Sequence, residues 1–360
     1  MSKIIVIIPV KNDAWFVKNT IDHARYWADE IIIDDDSSDD GSQEIFAHYA
    51  NFSNVHHIIR PKGQSFIGPE RRNYMLSLAR NFNGNNLIFE IHADEILSAE
   101  ILKPEIRNKL IEDMPVGSAL MTPWVNMWKN PFYYRNDKSV WSNNKSWFAY
   151  RDDREVRFEG SVFHGPRSPE SFTNKKVEID YLQVMHYQFV NLAMERSKQA
   201  LYQIFEKNHY PNKNTEYINK LYACAFDERN INLARIDEKH IRPWIEKGIA
   251  INQEFPKDGY NWRDTEILKN FRKYGLEKYK DLNIWYIDWE AKRREAMQLN
   301  INENIPNEVI SDPRDLSTRL AHKFLMKYQK YPFWRLNFFL LIFQKVIEKL
   351  RRKVYENKWF

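Results

Sequence analysis

Two textures of hydrophobic and polar positions alternate through the first 95 residues. Residues 3–10, KIIVIIPV, form a β-branched apolar run of the kind buried on both faces of a parallel sheet. DAWFVKNTIDHARYWA then spaces Trp15, Ile21 and Ala24 as a helix does. EIIIDDD (30–36) predicts a second buried strand, and Asp40 with Gln43 predicts a capping-box start for a helix SQEIFAHYA. NVHHIIR (54–60) reads as a third strand, PERRNYMLSLARN (69–81) as a helix with Pro69 in its first turn, and NLIFEIHAD (86–94) as a fourth strand. Strands and helices in short, strict alternation imply right-handed βαβ units: an α/β fold with a mostly parallel central sheet and helices on both faces.

Beyond Glu95 the pattern changes. Residues 96–113 read as helix and GSALMTPWVNMW (117–128) as strand, while 128–170 are rich in Trp, Tyr, Asn and Arg without a long period, as substrate-facing strands and loops are. Helical spacing returns over 191–226, and 236–297 continue as helix and loop. The polar, proline-containing stretch 300–315 is the linker candidate. The implied organisation is a catalytic domain over 1–235 (a nucleotide-binding half to 97, an acceptor half after it), a helical extension over 236–299, the linker, and a tail over 316–360.

Composition adds three constraints. Aromatics at 15% and hydrophobic types at 43% are too frequent for a disordered chain, and no apolar run approaches the ~18 residues of a membrane span. Cys224 is the single cysteine, which removes disulfide frameworks and thiolate zinc sites, and the start MSKIIVIIPV lacks a secretory signal, so the cytoplasm is the expected compartment. From His322 to Phe360 ten Lys or Arg face two Glu, whereas the other 321 residues carry 44 basic and 47 acidic side chains. A mildly acidic body argues against nucleic acid as a partner. The basic, aromatic, amphipathic tail 322–360 is expected either to meet an anionic membrane surface, peripherally and from the cytoplasmic side, or to pack on the catalytic domain with its basic face in solvent.

In a parallel α/β sheet ligands bind beyond the carboxyl ends of the strands. Those ends read Pro9-Val10-Lys11-Asn12, Asp34-Asp35-Asp36-Ser37 and His92-Ala93-Asp94-Glu95, with neither a Gly-x-Gly-x-x-Gly turn nor a Gly-Lys-Ser/Thr loop. In order and spacing, IIPVKND, DEIIIDDDSSDDGS, GPERRN and IHADE resemble the motifs of family 2 glycosyltransferases of the GT-A fold. The resemblance is strong over 3–97 and continues more weakly through WFAYRDDREVRFEGSVFHG and MHYQFVNLAMERSKQALYQIFE, which are similar to bacterial members that build surface glycans. It implies a nucleotide-sugar donor, a glycan or lipid-linked acceptor, and inversion by single displacement. It places Pro9, Asn12, Asp34 and Asp35 at the nucleoside, Arg72 beside the diphosphate, and Asp94 on a divalent ion, Mn²⁺ or Mg²⁺, that bridges the phosphates.

Two positions depart from the family pattern. His92 stands at the first acidic position of the metal motif, and an imidazole there favours Mn²⁺ over Mg²⁺; His164 is a further candidate ligand. Gly165 follows His164 where similar enzymes carry Glu, which leaves Asp153, Glu159 and His164 as rival general bases. The same departures keep open a second reading, a nucleotide-sugar-binding or scaffold protein with little or no turnover. His92 also fits a hydrogen-bonded structural histidine, His56 and His57 read as structural, His186 and Tyr187 as supports at the back of the domain or as acceptor contacts, and the tryptophans, Trp124 and Trp128 among them, as core or sugar-stacking groups.

Overall fold

The computed structural model describes residues 2–60, 68–137, 142, 144–160, 165–223, 231–252, 255, 259–301 and 303–328. These fall into two compact units, one drawn from 1–136, 143–195 and 232–262 and the other from 137–142, 196–231 and 263–360.

The first unit is α/β. It opens with β1 (Ile4–Val10), α1 (Val17–Ala24), β2 (Glu30–Asp35), α2 (Ser42–Ala47), β3 (Val55–Ile59), α3 (Pro69–Ala79) and β4 (Leu87–Glu90), the alternation the hydrophobic pattern predicts. Then come β5 (Glu95–Leu97), α4 (Pro104–Asp113), β6 (Ala119–Asn126), β7 (Tyr133–Arg135), β8 (Asn144–Arg151), β9 (Lys176–Glu178) and β10 (Val184–His186). Both faces of β1 are buried, with Ile4, Val6, Ile8 and Val10 in one apolar cluster beside α1, and Ile5 and Ile7 in another beside Met75, Leu76 and Ala79 of α3. Helix α2 starts after Gly41 in a left-handed conformation; Asp40 accepts from the Ser42 N–H (3.1 Å) and the Ala14 N–H (2.9 Å), but Gln43 donates to the Ser38 carbonyl (2.7 Å), so the reciprocal half of the expected capping box is absent. Residues 96 and 97 do not begin the expected helix; with Glu95 they form a strand. They extend as β5 because all three are buried and pair with β10.

Strand order is β3-β2-β1-β4-β8-β6-β10-β5, with β9 also on β6. β3, β2, β1 and β4 are parallel, β8 is antiparallel to both β4 and β6, and β10 runs parallel to β6. The carboxyl ends of β1, β2, β4, β6 and β10 consequently share one end of the sheet, and the start of β5 joins them. The end of β8 lies at the other.

The chain continues through α5 (Leu192–His209), α6 (Thr215–Leu221), β11 (Leu233–Arg235, paired with β7), α7 (Glu238–Glu246), α8 (Trp262–Tyr274), α9 (Trp289–Gln298) and α10 (Leu316–Tyr328). In the second unit Phe271 stacks on Trp285 and meets Trp289 edge-on, and buried Asp264 accepts from Ser197 (2.6 Å) and pairs with Lys292 (3.1 Å). Residues 300–315 lie against α8 and α9: Ile305 and Ile310 are buried, Arg272 donates to the Ile305 carbonyl, and the Ile310 N–H donates to Glu290. No helix among the described residues is long and apolar enough to cross a membrane. Residues 329–360 of the basic tail lie outside the described residues.

Candidate functional site

The shared end of the sheet collects most of the residues singled out above. After β1, Asn12 takes a left-handed backbone (φ 55), which asparagine tolerates better than most residues. It is locked there by a reciprocal pair: its Nδ2 donates to Asp39 (2.9 Å), and the Asp39 N–H donates to its Oδ1 (2.8 Å). Pro9 lies opposite Asp34 in the β1–β2 register. Asp34 and Asp35, adjacent on a strand, face opposite ways and meet different partners. Asp34 is fully buried between Arg60 and Arg71, each Nε 2.9 Å from one carboxylate oxygen. Asp35 accepts from the Ser38 N–H (2.9 Å) and pairs with His57 (3.3 Å). Burial works against its ionisation, but the bonds from His57 and Ser38 outweigh burial and lower its pKa. The two carboxylates thus hold the loop after β2 in shape, and His57 is part of that scaffold.

The stretch 90–95 turns from β4 into β5 and carries a dense charge network. Glu90 is buried at the end of β4, with Arg72 Nε 3.4 Å away; Arg72 also donates to the Gly165 carbonyl (3.3 Å). Burial opposes ionisation of Glu90, yet Arg72, His92 and Arg167 bring its pKa down to about 2. Glu95 is wholly buried and receives four bonds: Arg167 donates to Oε2 (2.6 Å) and to Oε1 (3.0 Å), the His92 N–H to Oε2 (2.9 Å), and Trp124 Nε1 to Oε1 (3.0 Å). Its pKa also falls to about 2, the guanidinium outweighing the burial. Arg167 is itself buried, reaches the Glu90 carbonyl, and lies over Phe148 (4.9 Å) and Trp124 (5.5 Å).

His92 turns its ring to this network. Arg167 donates to His92 Nδ1 (3.1 Å), and Nε2 lies 3.6 Å from Glu90. Burial and the guanidinium both lower the His92 pKa. Asp94 faces the other way: its Oδ1 is 3.4 Å from His186 Nε2, and its backbone carbonyl accepts from the Tyr187 N–H (2.9 Å). Among the described residues no three His, Cys, Asp or Glu side chains converge as a metal centre would require. Glu95 is committed to Arg167. Asp94 and His186 bring one carboxylate oxygen and one imidazole nitrogen within 3.4 Å of each other.

The three base candidates part company. Asp153 follows the end of β8, where Arg151 pairs with Leu87 at the start of β4, so it sits at the far end of the sheet from Asp94, on the order of 10 Å away or more along the strand alone. There its carboxylate caps the Glu155 and Val156 N–H groups (2.9 and 2.8 Å), and neighbouring Asp152 clamps Arg80 of α3. The antiparallel course of β8 is the physical reason that Asp153 does not join the site. From that point the chain returns along α3: Phe158 exchanges hydrogen bonds with Asn73, and Gly165 meets Arg72 one residue nearer the helix start. Glu159 is exposed on this returning segment, and His164 lies outside the described residues.

Arg167, Glu95, Glu90 and His186 are the members that sequence reasoning did not assign to the site. Glu95 adjoins a recognised motif and Glu90 closes the same strand, which are usable signals. Arg167 and His186 carry none in a single chain, since their partners are 72 or more residues distant or on another strand.

Residues 5–182 match the family model for glycosyl transferase family 2. No curated protein sequence matches the chain. Among solved structures it is similar to residues 1–349 of TarS from S. aureus, at 14% identity over 84% of this chain and 83% of that one, with a TM-score of 0.35. It is also similar to the mannosyltransferase PcManGT from Pyrobaculum calidifontis, solved in complex with GDP-Man and Mn²⁺, at 12% identity over 92% of this chain and 82% of that one, with a TM-score of 0.37.

Proposed function

Because residues 5–182 belong to glycosyl transferase family 2, we propose that this chain moves a sugar from a nucleotide-diphosphate sugar to a glycan or lipid-linked acceptor, inverting the anomeric carbon. The observation that supports this most is the position of Asp94. It lies at the carboxyl end of a mostly parallel sheet, where ligands bind in this architecture, within one turn of a network that contains Arg72.

In this reading the loop built by Asn12, Asp34, Asp35 and Asp39 forms the floor under the nucleoside. Arg72, tethered by a 3.4 Å contact to Glu90 and a 3.3 Å bond to the Gly165 carbonyl, offers its guanidinium to a donor phosphate oxygen. Asp94 would hold a divalent ion, and that ion would supply positive charge to the departing diphosphate. The acceptor hydroxyl attacks the anomeric carbon as the carbon–oxygen bond to phosphate breaks, its proton passes to a carboxylate or imidazole, and nucleoside diphosphate departs.

Glu159 and His164 are the remaining candidates for that proton. Glu159→Gln is expected to lower kcat by about 10²-fold or more with donor affinity unchanged, the usual worth of a general base. Asp153→Asn is expected to stay within about threefold of wild type. The opposite ranking in initial-rate assays would return Asp153 to the chemistry.

The activity itself is tested by incubating the full chain with UDP-, GDP- and dTDP-sugars, with Mn²⁺ or EDTA, and following nucleoside diphosphate release with and without glycan acceptors. Donor-dependent release supports transfer. Tight binding of a nucleotide sugar with no turnover under any combination would favour the binding-protein reading instead.

A further inference from the structure

Helix α10 turns one side to the second unit and the other to solvent. On the inner side Thr318 and His322 are buried. His322 Nε2 donates to the Asp281 carbonyl (2.9 Å), and its Nδ1 accepts from Arg314 (3.2 Å). Arg314 is buried as well, and it donates to the Trp285 carbonyl (3.2 Å) and to Asp312 (2.9 Å). These bonds fix the rotation of the helix about its own axis. Leu316 and Leu320, on the outer side, are consequently left 74% and 57% exposed.

A single exposed leucine needs no explanation. Here two stand four residues apart, with exposed Arg319 and Lys323 beside them. At 3.6 residues per turn the four positions fall within about 100° of arc, opposite Thr318 and His322. Arg319 keeps half of its side chain in solvent, although its Nε donates to the Arg314 carbonyl (3.1 Å) and lies 3.6 Å from Asp312. The acidic groups nearby are engaged: Asp315 accepts from the Thr318 N–H and the Ser317 hydroxyl (2.7 Å each), and Asp312 from Arg314. The outer face is therefore apolar and cationic together.

Charge selects what covers such a face. The chain that follows α10, residues 329–360, carries eight Lys or Arg against two Glu, so it would bring like charge to Arg319 and Lys323. A second copy docked face to face about a two-fold axis would oppose the same cations to each other. An anionic bilayer complements the whole set. The leucines enter the boundary between headgroups and acyl chains, the stems of Arg319 and Lys323 run beside them, and the charged heads reach lipid phosphates. We infer that the Leu316, Arg319, Leu320 and Lys323 face of α10 is a docking surface for anionic lipid. The inference is independent of sugar transfer.

The test uses the full chain and vesicles of phosphatidylglycerol and phosphatidylcholine in equal parts. Cys224 is the single cysteine, so Leu320→Cys in a Cys224→Ser background takes one environment-sensitive fluorophore on the proposed face. Its emission is expected to shift to the blue on these vesicles and not on phosphatidylcholine alone, and high salt should reverse the shift. In cosedimentation of unlabelled protein, Arg319→Gln with Lys323→Gln should weaken binding at least tenfold, as the loss of two cations at an anionic surface predicts. Leu316→Ser with Leu320→Ser should do the same through lost apolar burial. Circular dichroism checks folding, and the fluorophore reports the face even if one pair of substitutions fails to fold. No vesicle binding by wild type, or equal binding to phosphatidylcholine alone, would overturn the inference. So would binding that neither pair of substitutions weakens, which would assign it to residues beyond α10. A fluorophore already shifted before vesicles are added would show the face covered by this chain, or by a second copy where the shift depends on protein concentration, and would overturn it as well.

Discussion

Asp94→Asn is expected to lower nucleotide-sugar turnover by about 10³-fold while leaving the protein folded. The magnitude follows from the work assigned to the residue. Stabilising the negative charge that develops on a leaving diphosphate is worth several kcal/mol, and about 4 kcal/mol corresponds to a thousandfold in rate. Asparagine keeps the shape and one acceptor oxygen but removes the charge. The turn that carries Asp94 is held by other means, since its backbone carbonyl accepts from the Tyr187 N–H and the neighbouring Glu95 is fixed by four bonds. The thermal midpoint should therefore move by only a few degrees. Measuring kcat and KM separately with saturating Mn²⁺ checks the prediction: a loss in kcat marks charge development in the transition state, whereas a loss confined to KM would mark simple donor affinity. A total loss below tenfold would remove Asp94 from its assigned role.

How much of this was legible in the chain depends on how each feature is encoded. Strands β1, β2 and β4 were readable because burial on both faces marks every residue, so IIVIIPV and EIIIDD stand out without any partner being known. Asp94 was readable for the same reason, being the acidic residue just after such a strand. Strand β5 was not, because three residues, Glu-Ile-Leu, have no period of their own and are defined as a strand only by pairing with β10. Asp153 was assigned to the site because RDDRE lies in a motif-rich segment, but its location depends on the direction of β8, and direction is a property of the sheet that local sequence does not carry. Arg167 was not singled out, and His186 was taken as a support or an acceptor contact, because the carboxylates they meet lie 72 or more residues away along the chain. Arg167 sits in GPRSPE, where nothing local distinguishes it from a surface cation.

Arg167→Ala is expected to be the most destabilising single change at this site. The side chain is buried, forks onto both oxygens of a fully buried Glu95, and packs its guanidinium over Phe148 and Trp124. Its removal leaves the Glu95 carboxylate buried with, among the described residues, only the His92 N–H and Trp124 Nε1 as donors. Breaking a buried pair from one side costs about 3–5 kcal/mol, which for a unit of this size lowers the thermal midpoint on the order of 10 °C. Lysine should rescue only part of the loss, because it restores the charge but not the planar fork. The discriminating variant removes both partners. If the destabilisation comes from the orphaned carboxylate, Glu95→Gln combined with Arg167→Met should recover at least half of the loss, since replacing both members of a buried ion pair with groups of similar volume is often close to neutral. Chemical denaturation of wild type, Glu95→Gln, Arg167→Met and the double variant gives the cycle directly. A single-variant loss under about 1 kcal/mol would mean that the guanidinium is not the anchor of the turn. A double variant no better than Arg167→Ala would shift the cause to lost packing on Phe148 and Trp124. The recovered double variant should still be impaired in donor binding, because Arg167 also holds the His92 ring and the Glu90 carbonyl, and with them the geometry of the turn that presents Asp94.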